Sequence, residues 1–224
     1  MERMNKMKKN NIKAVIFDLD GTLLNTLEDL TDSVNASLGQ FGFPTRKIEE
    51  VRTFVGNGIH KLIERAVPEG STENEIENVF DAFREHYLVH CQDKTKPYDG
   101  ILSMLDTLKQ KGYALAIVSN KADAAVKKLS ADYFPKQITV AIGEKEGVKR
   151  KPAPDSVYEA LRELGVEKGD AIYVGDSDVD IATAKNAGLP CISVTWGFRE
   201  EAFLNAMKPD YLIHTPEEIF KILK

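Results

Sequence analysis

The chain has 224 residues, with 30 Lys and Arg against 35 Asp and Glu, a formal net charge of −5 and 42% hydrophobic residues. That is the balance of a soluble globular chain, long enough for one sizeable domain or a core with a smaller second one. It argues against sequence-independent binding of nucleic acid, which needs a basic face, yet allows a local cationic pocket for a small anion. Cys91 and Cys191 stand far apart and imply no disulfide framework, which fits a reducing cytoplasm.

Met1–Asn11 is basic and polar, without the apolar run of a signal peptide, and reads as a frayed, solvated tail. No later run is long enough to span a bilayer, so no membrane partner is expected. Ala14 to Phe17 is a short unbroken apolar run, which predicts a strand buried on both faces. Asp18 and Asp20 follow with Leu19 between them, then Gly21 and Thr22. Alternate residues of a strand point the same way, so both carboxylates can face one site as the chain turns at Gly21. Two acids at a buried strand end repel each other unless a cation sits between them, and oxygen ligands suit Mg²⁺. Taken alone, the stretch also fits an Asp-rich turn closing a hairpin.

A helical pattern comes next. Leu27, Leu30, Val34, Leu38 and Phe41 make one amphipathic stripe, with Thr26 and Asp29 as an N-cap arrangement and Gly42 and Pro44 as the stop. Further helices are predicted over about 46–54, around Ile59, Leu62, Ile63 and Ala66, and along Ile76, Val79, Phe80, Phe83, Tyr87 and Leu88. From Tyr98 helices alternate with strands. The strands are predicted at 113–118, 138–142, 171–174, 191–194 and 211–213, with helices at 101–111, 121–129, 155–164 and 179–187. Such alternation predicts an α/β fold, a Rossmann-like mostly parallel sheet core, with an all-helical cap domain inserted after its first strand. The expected core is 1–25 with 94–224, and the expected cap is 26–93.

Parallel sheets bind ligands beyond the carboxyl ends of their strands. There the sequence offers Ser119-Asn120-Lys121 after one strand and Gly175-Asp176-Ser177-Asp178, with Asp180 a turn later, after another. Lys151 stands just before Pro152 and Pro154 in the loop between. Each piece alone has a plain reading as a helix cap or a solvated loop residue. Together, at successive strand ends, they converge on one site.

These four stretches resemble the motifs of the haloacid-dehalogenase-like phosphatase superfamily. Asp18-Leu19-Asp20-Gly21-Thr22 looks like its first motif, Ser119-Asn120 its second, Lys151-Pro152 its third, and Gly175-Asp176-Ser177 through Asp180 its fourth. The helical insert is similar to the family's type-one cap. Gly56-Asn57-Gly58 and Val194-Thr195-Trp196-Gly197 resemble the phosphoglycolate phosphatase branch. The resemblance implies Asp18 as nucleophile, forming an aspartyl phosphate, and Asp20 as acid and then base. It implies Mg²⁺ on the Asp18 carboxylate, the main-chain carbonyl of Asp20 and Asp176, with Asp180 holding water or the Lys151 ammonium. Thr22, Ser119, Asn120 and Lys151 would hold the phosphoryl group. An acid at position 20 separates this pattern from the dehalogenases, and Asn25 stands where many relatives carry Asp.

The substrate implied is a small phosphorylated metabolite, with 2-phosphoglycolate the best guess; an inorganic pyrophosphatase, a hexose-phosphate mutase and a non-catalytic binding module are the alternatives. In the cap, Gly56 and Gly58 can bring backbone N–H groups to an anion at the start of helix 59–66, so Arg52, Asn57, Gly58, His60 and Lys61 are candidates for reading a substrate carboxylate. His86 and His90, four apart beside Cys91, have a spacing that can bind zinc, yet no acid partner is evident nearby and they read as flanking an apolar helix face.

Overall fold

The apolar run Ala14–Phe17 forms strand β1, and all four of its side chains are buried. The computed structural model describes residues 12–223, so Met1–Asn11, read as a solvated tail, lies outside the described residues. After β1 come β2 (Leu24–Asn25), helices α1 (Leu27–Gln40), α2 (Ile48–Phe54), α3 (Ile59–Ala66) and α4 (Glu73–His90), and β3 (Lys96–Pro97). The chain continues with α5 (Ile101–Gln110), β4 (Ala114–Ala122), α6 (Asp123–Tyr133), β5 (Val140–Glu144) and α7 (Asp155–Leu164). It then runs through β6 (Ala171–Gly175), α8 (Asp178–Ala187), β7 (Cys191–Val194), α9 (Glu201–Met207), β8 (Tyr211–Ile213) and α10 (Ile219–Ile222).

Two compact units divide the chain. One takes the chain up to Leu23 and from Tyr98 onward; the other is Leu24–Pro97. The first is an α/β unit whose six-stranded sheet has the order β5-β4-β1-β6-β7-β8, with every ladder parallel. Strand β1 lies between β4 and β6, with Ile16 opposite Ala116 on one side and Tyr173 on the other. The chain therefore leaves β1 in both directions, and the carboxyl ends of β4, β1 and β6 stand side by side at the point where the strand order reverses. On one face of the sheet Ile16, Val118, Ile142 and Tyr173 pack with Val157 and Leu161 of α7 and Ile181 and Ala184 of α8.

Strand β4 is longer than expected. It runs to Ala122, with a register shift against β5 between Val118 and Ala122. Lys121 thus belongs to the strand end, and α6 begins at Asp123. Helix α9 and the short helical pieces after β8 lie outside the elements expected from the sequence.

The second unit has its own core. Leu30, Val34 and Leu38 of α1, Val51 of α2, Leu62 and Ile63 of α3, and Val79, Phe83 and Tyr87 of α4 close around one another. Three sequence expectations are corrected here. Leu88 is 80% exposed, because Val79, Phe83 and Tyr87 recur every four residues and leave it off the buried stripe. Thr26 sits at the N-cap of α1 without a side-chain cap bond. Asp29 instead accepts the Lys94 N–H on both oxygens (2.9 and 3.1 Å) and the Thr95 N–H at 2.8 Å. The unit is also not all helical. Leu24 and Asn25 pair with Pro97 and Lys96 in a short antiparallel ribbon, and with it the division falls at 23/24 and 97/98. Among the described residues no helix is long and apolar enough to cross a membrane. Cys91 and Cys191 are buried and form no disulfide.

Asp29 is buried and takes both backbone donors where the chain returns toward β3. Replacing it by Ala strands those N–H groups. Asp29→Ala is expected to lower the free energy of unfolding by about 1–3 kcal/mol, read from the midpoint of urea unfolding at unchanged slope.

Candidate active site

Strand β1 delivers Asp18 to the site. Its N–H bonds the Val174 carbonyl of β6, and its Oδ1 accepts the Leu19 N–H at 2.7 Å and faces Lys151 Nζ at 2.9 Å. The chain then folds back, with the Thr22 and Leu23 N–H groups both reaching the Leu19 carbonyl. Gly21 takes φ 83° in that turn, and a Cβ there would also run into the Asp176 carboxylate. Only glycine meets both demands.

At the end of β6, Ser177 and Asp180 cap α8 reciprocally. Ser177 Oγ accepts the Asp180 N–H, while Asp180 Oδ2 accepts the Ser177 N–H at 3.1 Å and its hydroxyl at 2.6 Å. Asp180 Oδ1 in turn accepts Lys151 Nζ at 2.8 Å and the Tyr173 hydroxyl at 3.2 Å. Lys151 also donates to the Tyr173 oxygen at 3.1 Å, and it is itself buried. Asp176 is held through both oxygens, by the Thr22 hydroxyl at 3.1 Å and the Phe198 N–H at 2.7 Å.

Asp18, Asp176 and Asp180 each offer a carboxylate oxygen, and those oxygens lie within 4.8 Å of one another. Burial, reinforced by the charge of Asp180, holds the Asp18 carboxyl well above the ordinary carboxylate range, and Lys151 offsets only part of that. Burial and Asp180 likewise raise Asp176, against the pull of the Phe198 N–H, the Thr22 hydroxyl and Arg199. Burial disfavours the Lys151 charge, yet Asp18 and Asp180 outweigh it and hold the ammonium well above its usual value. Three buried carboxylates facing one ammonium make a site short of positive charge, and its all-oxygen donors fit a hard divalent cation. Each oxygen of Asp180 already accepts two protein donors, whereas each oxygen of Asp176 accepts one, so Asp180 serves as the holder of Lys151. Among the described residues no other group of three or more His, Cys, Asp or Glu side chains could share an ion.

The remaining sequence candidates fall as follows. The Asp20 side chain turns to Lys121, whose Nζ is 2.9 and 3.1 Å from its two oxygens. Thr22 donates its hydroxyl to Asp176, and Ser119 Oγ accepts the Lys121 N–H. Asn120 Nδ2 donates to the Lys151 carbonyl at 3.1 Å, tying the end of β4 to the Lys151 loop. In the other unit, Arg52 lies in α2 and Gly58 is the N-cap of α3 with φ 85°. Asn57 Oδ1 accepts from Arg65, His60 pairs with Glu77 at 2.7 Å, and Lys61 pairs with Glu64 at 2.6 Å. His86 bonds Ser33, and His90 has an acid partner after all, Asp93 at 2.8 Å. The two imidazoles stack with centroids 4.3 Å apart.

Sequence reasoning placed Lys121 at the strand end without giving it a role, and missed Tyr173 and Phe198. Carrying β4 four residues past Val118 would have placed Ser119 and Lys121 at i and i+2, on one side of the strand. Tyr173 reads as one more apolar strand residue, and the Phe198 contact is made by its backbone.

Acids and a fixed lysine thus meet at adjoining strand ends of a parallel α/β unit. The family model for haloacid dehalogenase-like hydrolases matches residues 15–194. The chain is 32% identical to a phosphoglycolate phosphatase of Aquifex aeolicus over 217 residues, covering 95% of this chain and 97% of that one. It is 31% identical to pyrophosphatase PpaX of Bacillus cereus, covering 95% and 96%. A crystal structure of a Lactobacillus delbrueckii subsp. bulgaricus protein superposes with a TM-score of 0.91 at 36% identity, covering 95% and 98%. That of a predicted phosphoglycolate phosphatase from Haemophilus somnus gives 0.89 at 29%, covering 96% and 100%. The chain belongs to the haloacid dehalogenase-like hydrolase family. Within it, the chain resembles the phosphoglycolate phosphatase branch.

The raised carboxyls carry a sign for stability. A carboxyl whose folded pKa lies above its unfolded value binds more protons in the fold, so stability falls as pH rises through that interval. In EDTA the melting temperature is therefore expected to fall between about pH 5 and pH 8. Asp18→Asn and Asp176→Asn, each removing a like charge, are expected to melt a few degrees above the parent at the upper pH, measured by scanning calorimetry (on the order of 1 kcal/mol each).

Proposed function

We propose that this hydrolase is a Mg²⁺-dependent phosphatase acting on a small phosphomonoester, with 2-phosphoglycolate the leading substrate, through a phosphorylated Asp18. The observation that carries the reading is the Lys151 ammonium fixed between Asp18 and Asp180, 2.9 and 2.8 Å away, with Asp176 alongside. A carboxylate beside a buried, immobile cation can approach an anionic phosphoryl group that an exposed carboxylate would repel. The relatives named as phosphoglycolate phosphatases support the substrate.

In the first half-reaction an Asp18 oxygen attacks phosphorus in line, the bond from phosphorus to the leaving oxygen breaks, and protonated Asp20 gives that oxygen its proton. In the second, Asp20 as carboxylate takes a proton from water while the water oxygen attacks phosphorus. The bond to Asp18 breaks and orthophosphate leaves. Lys151 lies against phosphoryl oxygens in both steps, kept on aim by Asp180 and Tyr173. Thr22, Ser119 and Asn120 complete the phosphoryl cradle, which for Thr22 means that its hydroxyl proton turns away from Asp176. The Asp18 carboxylate, the Asp20 main-chain carbonyl and Asp176 would hold Mg²⁺, which when bound supplies positive charge against the phosphoryl oxygens. Lys121 keeps the Asp20 carboxyl facing one way.

Substrate choice is assigned to the helical unit, at Arg52, Asn57, Gly58, His60 and Lys61. The match to pyrophosphatase PpaX favours inorganic pyrophosphate as a second reading. A phosphate-release screen over 2-phosphoglycolate, pyrophosphate, hexose phosphates and nucleotides, with and without Mg²⁺, decides between them. A highest kcat/KM on pyrophosphate would replace the leading substrate, and no phosphate release from any compound would remove the phosphatase reading.

Asp18→Asn keeps the shape of the side chain but not its nucleophilicity. Turnover is expected to drop at least about 10⁴-fold, with no acid-stable label on the protein from a ³²P substrate. Lys121→Met is expected to act through Asp20. Single-turnover phosphorylation from alkyl phosphates should slow by about 10²-fold, and from aryl phosphates, whose leaving groups need little protonation, by much less. Equal losses would show that Lys121 serves some other step.

A further inference from the structure

Thr195 to Arg199 link β7 to α9, and the chemistry above gives them no part. Several of their contacts converge on the strand ends of β1 and β6. The Phe198 N–H makes the shorter of the two bonds to Asp176, 2.7 Å against 3.1 Å from Thr22. The indole N–H of Trp196, the single tryptophan in the sequence, donates to the Thr22 carbonyl at 3.0 Å. Gly197 passes so close to Asp176 and the Gly21 carbonyl that a methyl group there would overlap both. Arg199 Nε lies 3.2 Å from Asp178 Oδ1 in the first turn of α8, and the Thr195 N–H bonds the Ile213 carbonyl of β8.

One loop thus grips the turn after β1, the Asp176 carboxylate and the start of α8. Thr22 and Asp176 are 154 residues apart in the chain. A carboxylate with an N–H on one oxygen and a hydroxyl on the other cannot rotate freely. Its remaining lone pairs are therefore aimed before any cation arrives. Trp196 extends the same chain of contacts, since it fixes the backbone of the residue whose hydroxyl holds Asp176.

We infer that the loop 195–199 is a positioning element for a divalent cation shared by Asp18 and Asp176, setting the spacing of the two strand ends and the rotation of the Asp176 carboxylate. The inference rests on the reading of those two carboxylates as metal ligands. It makes Trp196 and Gly197 residues that act through Asp176 and Thr22, not ones that touch substrate.

The test uses the metal-free full chain and Mn²⁺ as the probe, with free Mn²⁺ followed by electron paramagnetic resonance. The parent is expected to bind one Mn²⁺ per chain. Gly197→Ala is expected to weaken that binding about tenfold or more, and Trp196→Phe about threefold or more, with one site per chain retained. A raised dissociation constant at constant stoichiometry marks mispositioned ligands, whereas a misfolded fraction lowers the number of sites. Should Gly197→Ala fail to fold, Trp196→Phe decides alone. The inference is overturned if Trp196→Phe binds within about twofold of the parent, or if its loss appears only as fewer sites. A parent that binds no Mn²⁺ overturns the metal reading beneath it, a different outcome from a parent that binds and a variant that is unaffected.

Discussion

Lys151 lies buried between Asp18 and Asp180, within hydrogen-bond distance of each, and the surrounding core is arranged to make that pairing tolerable. Buried charges are costly unless their remaining donors and acceptors are met. Here Tyr173 lies against Lys151 and Asp180 together, and Ser177 fills the far oxygen of Asp180 with two donors. The network is closed on that side. It stays open on the side of Asp18 and Asp176, whose carboxyls are raised by burial and by Asp180. Burying these two carboxyls with so little compensating positive charge costs stability locally.

The position of β1 explains how so many groups meet. A strand with parallel neighbours on both sides, from which the chain departs left and right, gathers loops from both halves of the sheet at its carboxyl end. Asp18 directly follows β1, Ser119 and Lys121 lie in β4, and Asp176 directly follows β6. The Lys151 loop is tied back to β4 by Asn120, and the loop after β7 reaches over to Asp176. No single element carries the site. The helical unit, by contrast, has a separate core drawn from α1 to α4.

What could be read in the sequence was what obeys a local period. The apolar run before Asp18 and the Leu30, Val34 and Leu38 stripe of α1 follow from strand or helix geometry. The sequence failed where a distant partner overrode a local pattern. Thr26 and Asp29 look like a cap pair, but the backbone at Lys94 and Thr95 makes the better claim on that carboxylate. Ser-Asn-Lys reads as the approach to a helix, so the extension of β4 that brings Lys121 to Asp20 was invisible. Leu88 is apolar but lies off the buried stripe. The ribbon of Leu24–Asn25 with Lys96–Pro97 is too short to show any alternation. Trp196 and Thr22 are 174 positions apart, and nothing in either neighbourhood announces the other.

The same sheet order governs how the chain is made. Strand β1 leaves the ribosome well before its ladder partners, which begin only at Ala114 and Ala171. Its unpaired N–H and C=O edges therefore wait while the residues in between are made, the period in which strand edges are most open to mispairing. Between β1 and those partners the ribosome delivers Leu24–Pro97, a contiguous segment whose helices make their own core and whose two ends pair with each other. That insert has every contact of its core in hand before Ala114 is translated. Its completion brings the chain back beside β1, with Tyr98 bonded to Leu23, so the largest loop that the sheet must close is shortened in advance.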